Sequence, residues 1–134
     1  MWKECKAMEQ DIIALRRALH QIPELSLDLP ETLSFISAQL DAWGIPHHLS
    51  PGKAGIIGEF DGGREGKTIL LRADVDGLPI QEETGLPFSS RHEGRMHACG
   101  HDAHGAMLPG ALKVLFDRRE QLAGRVRFIF QAGE

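Results

Sequence analysis

Lys67-Thr68-Ile69-Leu70-Leu71-Arg72-Ala73-Asp74-Val75-Asp76 is a nearly continuous apolar run that ends on two carboxylates. A run without polar and apolar alternation, over Lys67 to Ala73, predicts a strand buried on both faces, the kind found in sheets covered by helices. It delivers Asp74 and Asp76 to its C-terminal end, where open α/β sheets carry the loops that build active sites.

The segments on either side fit the same architecture. Upstream, Ile45 to Leu49 and Gly55 to Phe60 read as two short strands separated by the turn residues Ser50, Pro51 and Gly52, and Asp61-Gly62-Gly63 marks the next turn. Before them, Ile12, Ile13, Leu15 and Leu19 recur at helical spacing over Glu9 to Leu19, and Pro23 ends that helix. Pro30 suits the first turn of a second helix, whose stripe of Leu33, Ile36, Leu40 and Trp43 runs to Gly44. Downstream, Gly77 to His97 reads as a long ordered loop. Met107, Leu108, Ala111, Leu112, Val114 and Leu115 then repeat at helical spacing, with Asp102 as a candidate cap. Pro109 demands either a kink or a later helix start. A last strand, Arg125 to Phe130, carries Gln131 to Glu134 at its C-terminal end. With no repeat, low-complexity tract or break in composition, the reading is one α/β unit.

Composition narrows the function classes. The chain has 134 residues, 42% hydrophobic and 25% charged, an ordinary balance for a folded domain. Its net charge of -4 comes from 15 basic and 19 acidic residues mixed along the chain, which leaves no basic footprint for nucleic acid or anionic lipid. No stretch approaches the length of about 18 apolar residues that a membrane span needs, and Met1 to Gln10 lacks a secretion-signal pattern. Cys5 and Cys99 do not form a disulfide framework, so the expected location is the cytoplasm.

The chemistry concentrates in Met96-His97-Ala98-Cys99-Gly100-His101-Asp102-Ala103-His104. Thiolate and imidazole both bind zinc or similar borderline ions, and Cys99 and His101, two residues apart, project to one side of an extended segment. Asp102, His104 or Asp74 are candidates to accept the second ring proton of a ligating histidine. Two other readings compete: an inert thiol among surface histidines, and a closed structural zinc site of Cys99, His97, His101 and His104. Elsewhere, Asp74 and Asp76 are as compatible with turn chemistry as with a site, and Arg72 is expected in an ion pair. Glu82 and Glu83 read as a solvated loop face, and His20, His47 and His48 as surface residues.

These residues resemble the aminoacylase and carboxypeptidase-like amidohydrolases, a zinc or manganese family that includes hippurate hydrolase and indoleacetyl-amino-acid hydrolases. The resemblance runs from Leu15-Arg16-Arg17 and His20-Gln21-Ile22-Pro23-Glu24-Leu25 through Leu71 to Pro79, and is most specific at His97 to His104. It implies a three-layer α/β/α zinc-peptidase-like catalytic domain with a mixed sheet. Residues 1–134 would be its N-terminal part, truncated and without the lid or dimerisation domain. It further implies a dinuclear zinc or manganese site with Cys99 and His101 as ligands, and Glu134 as the catalytic general base. Asp74, Asp102 and His104 would stand behind the ligands. The implied reaction is hydrolysis of the amide bond of N-acyl amino acids by metal-activated water, in a cytoplasmic enzyme with a small-molecule substrate and potentially a homo-oligomeric state. Because later ligands of the family site are missing, the expectation for this chain is an incomplete, inactive fragment. A noncatalytic metal-binding or partner-binding module and a degenerate remnant are the alternatives.

Overall fold

A computed structural model describes residues 1–133. The helices are α1 (Trp2–Ala7), α2 (Glu9–His20), α3 (Pro30–Ala42) and α4 (His101–Asp117), and the strands are β1 (His47–Leu49), β2 (Gly55–Asp61), β3 (Arg64–Asp74) and β4 (Ala123–Gln131). Every strand and helix expected from periodicity is present. The addition is α1, which buries no side chain and is tied to the rest by an Arg118–Glu4 ion pair of 3.1 Å.

The sheet order is β1-β2-β4-β3, with β1/β2 and β2/β4 antiparallel and β3/β4 parallel. β2 and β3 follow one another through the Gly62-Gly63 turn yet do not pair, because β4 lies between them. The start of β4 passes so close to β3 that a Cβ on Gly124 would sit 2.0 Å from the Lys67 carbonyl oxygen, and Gly124 itself has φ +98°. Only glycine meets both demands.

Val126, Phe128 and Phe130 of β4, with Ile56 and Phe60 of β2, form the inner face of the sheet. They pack in one core with Leu15 and Leu19 of α2, Leu33, Ile36 and Leu40 of α3, and Ala106 and Leu112 of α4. The stripes of α2 and α3 are buried at Leu15, Leu19, Leu33, Ile36 and Leu40, whereas of the stripe read for α4 Leu108, Leu112 and Val114 are buried and Met107 and Ala111 are exposed.

The expectation for the strand at Lys67 to Ala73 requires correction. It is a strand, but it is not buried on both faces: Ile69 is 49% and Leu70 is 63% exposed, and only Ala73 is fully enclosed. β3 is the outermost strand of the described sheet, and the helices lie on one face only, so the described residues form two layers. A continuous apolar run signals strand, but not what covers it.

Of the two outcomes Pro109 allowed, the later helix start does not occur. α4 begins at His101 and runs through Pro109 to Asp117. The i−4 position whose carbonyl a proline ring crowds is Gly105, itself packed with any added Cβ 3.1 Å from Leu19 and Val75. Among the described residues no helix is long and apolar enough to cross a membrane.

Candidate metal centre

The site is built where β3, the loop after it and the start of α4 meet. The chain leaves β3 with Val75 N–H donating to the Gln131 carbonyl at 2.9 Å, which continues the β3/β4 ladder by one residue. Loop 77–99 follows. Its neck is closed by reciprocal bonds between Leu78 and Met96 of 2.8 and 3.0 Å. Its floor is the His20 to Glu24 segment: Gly77 N–H donates to the Glu24 carbonyl at 2.7 Å, Arg91 N–H to Gln21 at 2.9 Å, and the His92 ring to Pro23 at 2.9 Å. The loop is thus ordered without regular structure, as its reading as a site-building loop required.

Gly100 turns the chain from this loop into α4. Its φ of +105° is a conformation that side chains rarely adopt, although a Cβ there would meet nothing within 4 Å. The glycine is needed for backbone conformation, not for space. On one side of it Cys99 is an exposed thiol, and on the other His101 is buried. His101 Nδ1 donates to the Asp76 backbone oxygen at 3.0 Å and to its Oδ1 at 3.1 Å. This fixes the ring and makes Nε2 the nitrogen suited to ligation.

Of the other expected site residues, Asp74 pairs with Arg72 at 2.8 Å, the ion pair expected of that arginine. His104 is exposed and its ring stacks on His101 with centroids 5.7 Å apart. Asp102 is not a cap; the N-cap is Gly100, and Asp102 sits in the first turn, where its Oδ1 accepts the Ala103 N–H at 2.9 Å. Its Oδ2 accepts from His20 Nδ1 at 2.7 Å and from Arg16 Nε at 2.8 Å. Glu134 lies outside the described residues.

The donors fit a borderline divalent cation in kind: one exposed thiol and one oriented imidazole. In number they are too few to enclose it. Among the described residues no group of three or more His, Cys, Asp or Glu side chains could hold a metal ion. The closed four-ligand zinc site is therefore not formed. His97, one of its members, is 4% exposed, and both of its ring nitrogens lack a hydrogen-bond partner. Burial lowers its pKa to about 4; Asp102 opposes that shift, and His20 and His101 add to it.

Two residues read as solvent-facing are the reverse. His20 is 3% exposed, and the Glu82 side chain 2%. His20 Nε2 donates to Glu82 Oε1 at 3.1 Å, and Glu82 also accepts from Thr84 and from the Ser90 N–H at 2.6 Å. A signal for His20 was available: with Ile12, Leu15, Arg16 and Leu19 it lies at three- and four-residue steps, inside the buried stripe of α2. Glu82 carried none, since the loop that encloses it has no period.

Burial pushes the Glu82 carboxyl up, but the hydrogen bonds from Thr84, Ser90 and His20 outweigh it and hold the pKa at about 2, against 4.5 ordinarily. A depressed carboxylate stabilises the fold above its unfolded pKa, and that contribution disappears as pH falls through the folded value. Glu82→Gln, which cannot titrate, is expected to lose most stability relative to the parent at pH 5 and above, with the gap closing as pH falls toward about 2. Urea midpoints of both proteins across that range check it; a gap independent of pH removes the charge from the account.

Known proteins share this sequence and fold. Residues 70–134 match the model of peptidase family M20/M25/M40. Over 127 residues the chain is 46% identical to an N-acetyl-L-cysteine deacetylase of Bacillus subtilis (strain 168), covering 95% of this chain and 30% of that protein. It is 41% identical over 127 residues to an N-acyl-L-amino acid amidohydrolase of Geobacillus stearothermophilus, covering 95% of this chain and 34% of the relative. The crystal structure of a Bacillus subtilis dinuclear metal-binding peptidase of the M20 family superposes with a TM-score of 0.91 at 46% identity, over 96% of this chain and 36% of that one. The fold is shared with that dinuclear metal-binding peptidase. Over nearly its whole length the chain is thus similar to proteins of the M20 family, and it spans about a third of the length of the curated relatives it matches.

Proposed function

We propose that residues 1–134 are the N-terminal part of a metallopeptidase-like catalytic domain that hydrolyses the amide bond of N-acyl amino acids, with zinc or manganese as the metal. The observation that carries the reading is the pair Cys99 and His101 astride Gly100, with the His101 ring locked through Nδ1 by Asp76. The names of the relatives support the substrate class.

Cys99 Sγ and His101 Nε2 would hold the metal. When bound, it supplies a lowered pKa for water and polarisation of the acyl carbonyl. Asp76 keeps the His101 proton on Nδ1. The Glu134 carboxylate takes the proton of the attacking water and returns it to the leaving amine nitrogen, as a general base and then a general acid. Asp102, next to His101 on the first turn of α4, is anchored by His20 and Arg16, and the His104 ring stacks on that of His101. With two donors the chain alone is expected to bind metal weakly and to lack turnover.

Cobalt titration followed by the thiolate-to-cobalt absorption band tests this. Cys99→Ser is expected to abolish the band and His101→Ala to weaken binding about 10-fold or more, whereas His97→Ala changes it less. Binding by both variants equal to that of the parent would show that the ligands are misassigned. Metal binding without hydrolysis in any longer chain would favour the noncatalytic module instead.

A further inference from the structure

Loop 77–99 ends at Cys99 and the first turn of α4 begins at His101, whose ring is held by the Asp76 backbone oxygen where the loop starts. A second connection between loop and helix is a run of side chains through the protein interior. Arg16 and His20 of α2 meet Asp102 on α4 at 2.8 and 2.7 Å, and the other nitrogen of His20 reaches Glu82 in the loop at 3.1 Å. Phe88, further along the loop, packs its ring edge-on to His20 with centroids 5.8 Å apart, beneath the Arg16 and Arg17 guanidinium groups. Each His20 nitrogen faces a carboxylate, so the ring bridges two buried acids that would otherwise repel.

We propose that His20 is a positioning residue: clamped between Glu82 and Asp102, it locks loop 77–99 to the start of α4 and so sets the relative placement of Cys99 and His101. His20 touches neither ligand, so its effect passes through Asp102 to the adjoining His101 and through Glu82 to the loop that ends at Cys99. The consequence for metal binding rests on the ligand assignment proposed above; the clamp itself does not.

Two readouts separate these. Arg91 and Arg95 are exposed in the loop, so trypsin cleavage after them reports how firmly it is held. Cobalt affinity and the thiolate-to-cobalt band report the ligands. His20→Gln and Glu82→Ala are each expected to raise loop cleavage and weaken cobalt binding, both by roughly tenfold, with Glu82→Gln recovering most of each because it still accepts from His20. Glu82→Ala decides the matter if His20→Gln does not fold, since its deletion leaves the Arg16–His20–Asp102 cluster intact. A folded Glu82→Ala whose loop is cleaved at the parental rate overturns the proposal. So does faster cleavage with unchanged cobalt affinity and band. If the parent shows no thiolate band while the variants still loosen the loop, the clamp stands and the ligand assignment falls.

Discussion

Phe128→Ala is expected to destabilise the chain by about 3–5 kcal/mol, against a total of about 5–15 kcal/mol for a typical native domain. Phe128 has no exposed surface, lies at the centre of β4, and meets Phe130 edge-to-face with centroids 6.1 Å apart. Its partner β2 has been shaped around it: a Cβ on Gly58 would stand 2.2 Å from the Phe128 ring, so the opposite strand offers no side chain that could fill the space left behind. The cavity therefore stays open, which places the loss toward the upper part of the range. The effect reaches the site, because β4 holds β3 in parallel register up to Asp74 and Gln131, just before the Val75 and Asp76 backbone that orients His101. Urea unfolding checks the prediction; a midpoint near the parental one would mean that the helices, and not the sheet centre, dominate the core.

The same core shows why so much of the fold was legible. Leu33, Ile36 and Leu40, or Val126, Phe128 and Phe130, differ from their polar neighbours by a fixed period, and burial on one side of a helix or strand imposes that period. β3 was legible as a strand but not in its surroundings, because hydrophobic character records what a segment can bury and not which neighbour is present. The order β1-β2-β4-β3 was equally beyond reach: nothing local in the Gly62-Gly63 turn says that a strand from 60 residues later enters between the two it joins.

The site divides along the same line. Cys99 and His101 announced themselves because two metal-binding residue types sat two residues apart around a glycine. The partner of the His101 ring, Asp76, stood beside Asp74 with nothing to distinguish them until the backbone turned one toward Arg72 and the other toward α4. The burial of His20 could be read from the stripe of α2, but its pairing with Glu82 was hidden by distance, the two being 62 residues apart in sequence and joined only by folding.

The 134-residue chain on its own is expected to self-associate and to show no hydrolysis of N-acetyl or N-benzoyl amino acids. The outer edge of β3 is unpaired among the described residues, and the sheet face away from the helices carries Leu70 beside Ile57 and Ile129. Unpaired strand edges and contiguous apolar surface drive association. The Arg127–Glu59 and Arg125–Asp61 pairs, both at 2.7 Å, put charge on that face and moderate the tendency without covering Leu70. Light scattering coupled to size exclusion should report species larger than a monomer, and Leu70→Lys should shift them toward the monomer by placing a charge on the edge strand. Catalysis is expected to fail for a separate reason: two donors leave most of a coordination sphere to water, and a general base acts only when fixed beside the reacting atoms. A longer chain that carries the remaining two thirds of its relatives' length is expected to recover both solubility and metal-dependent hydrolysis. A monomeric 134-residue chain with metal-dependent turnover would show that Cys99, His101 and Glu134 suffice, and that the exposed face of the sheet needs no cover.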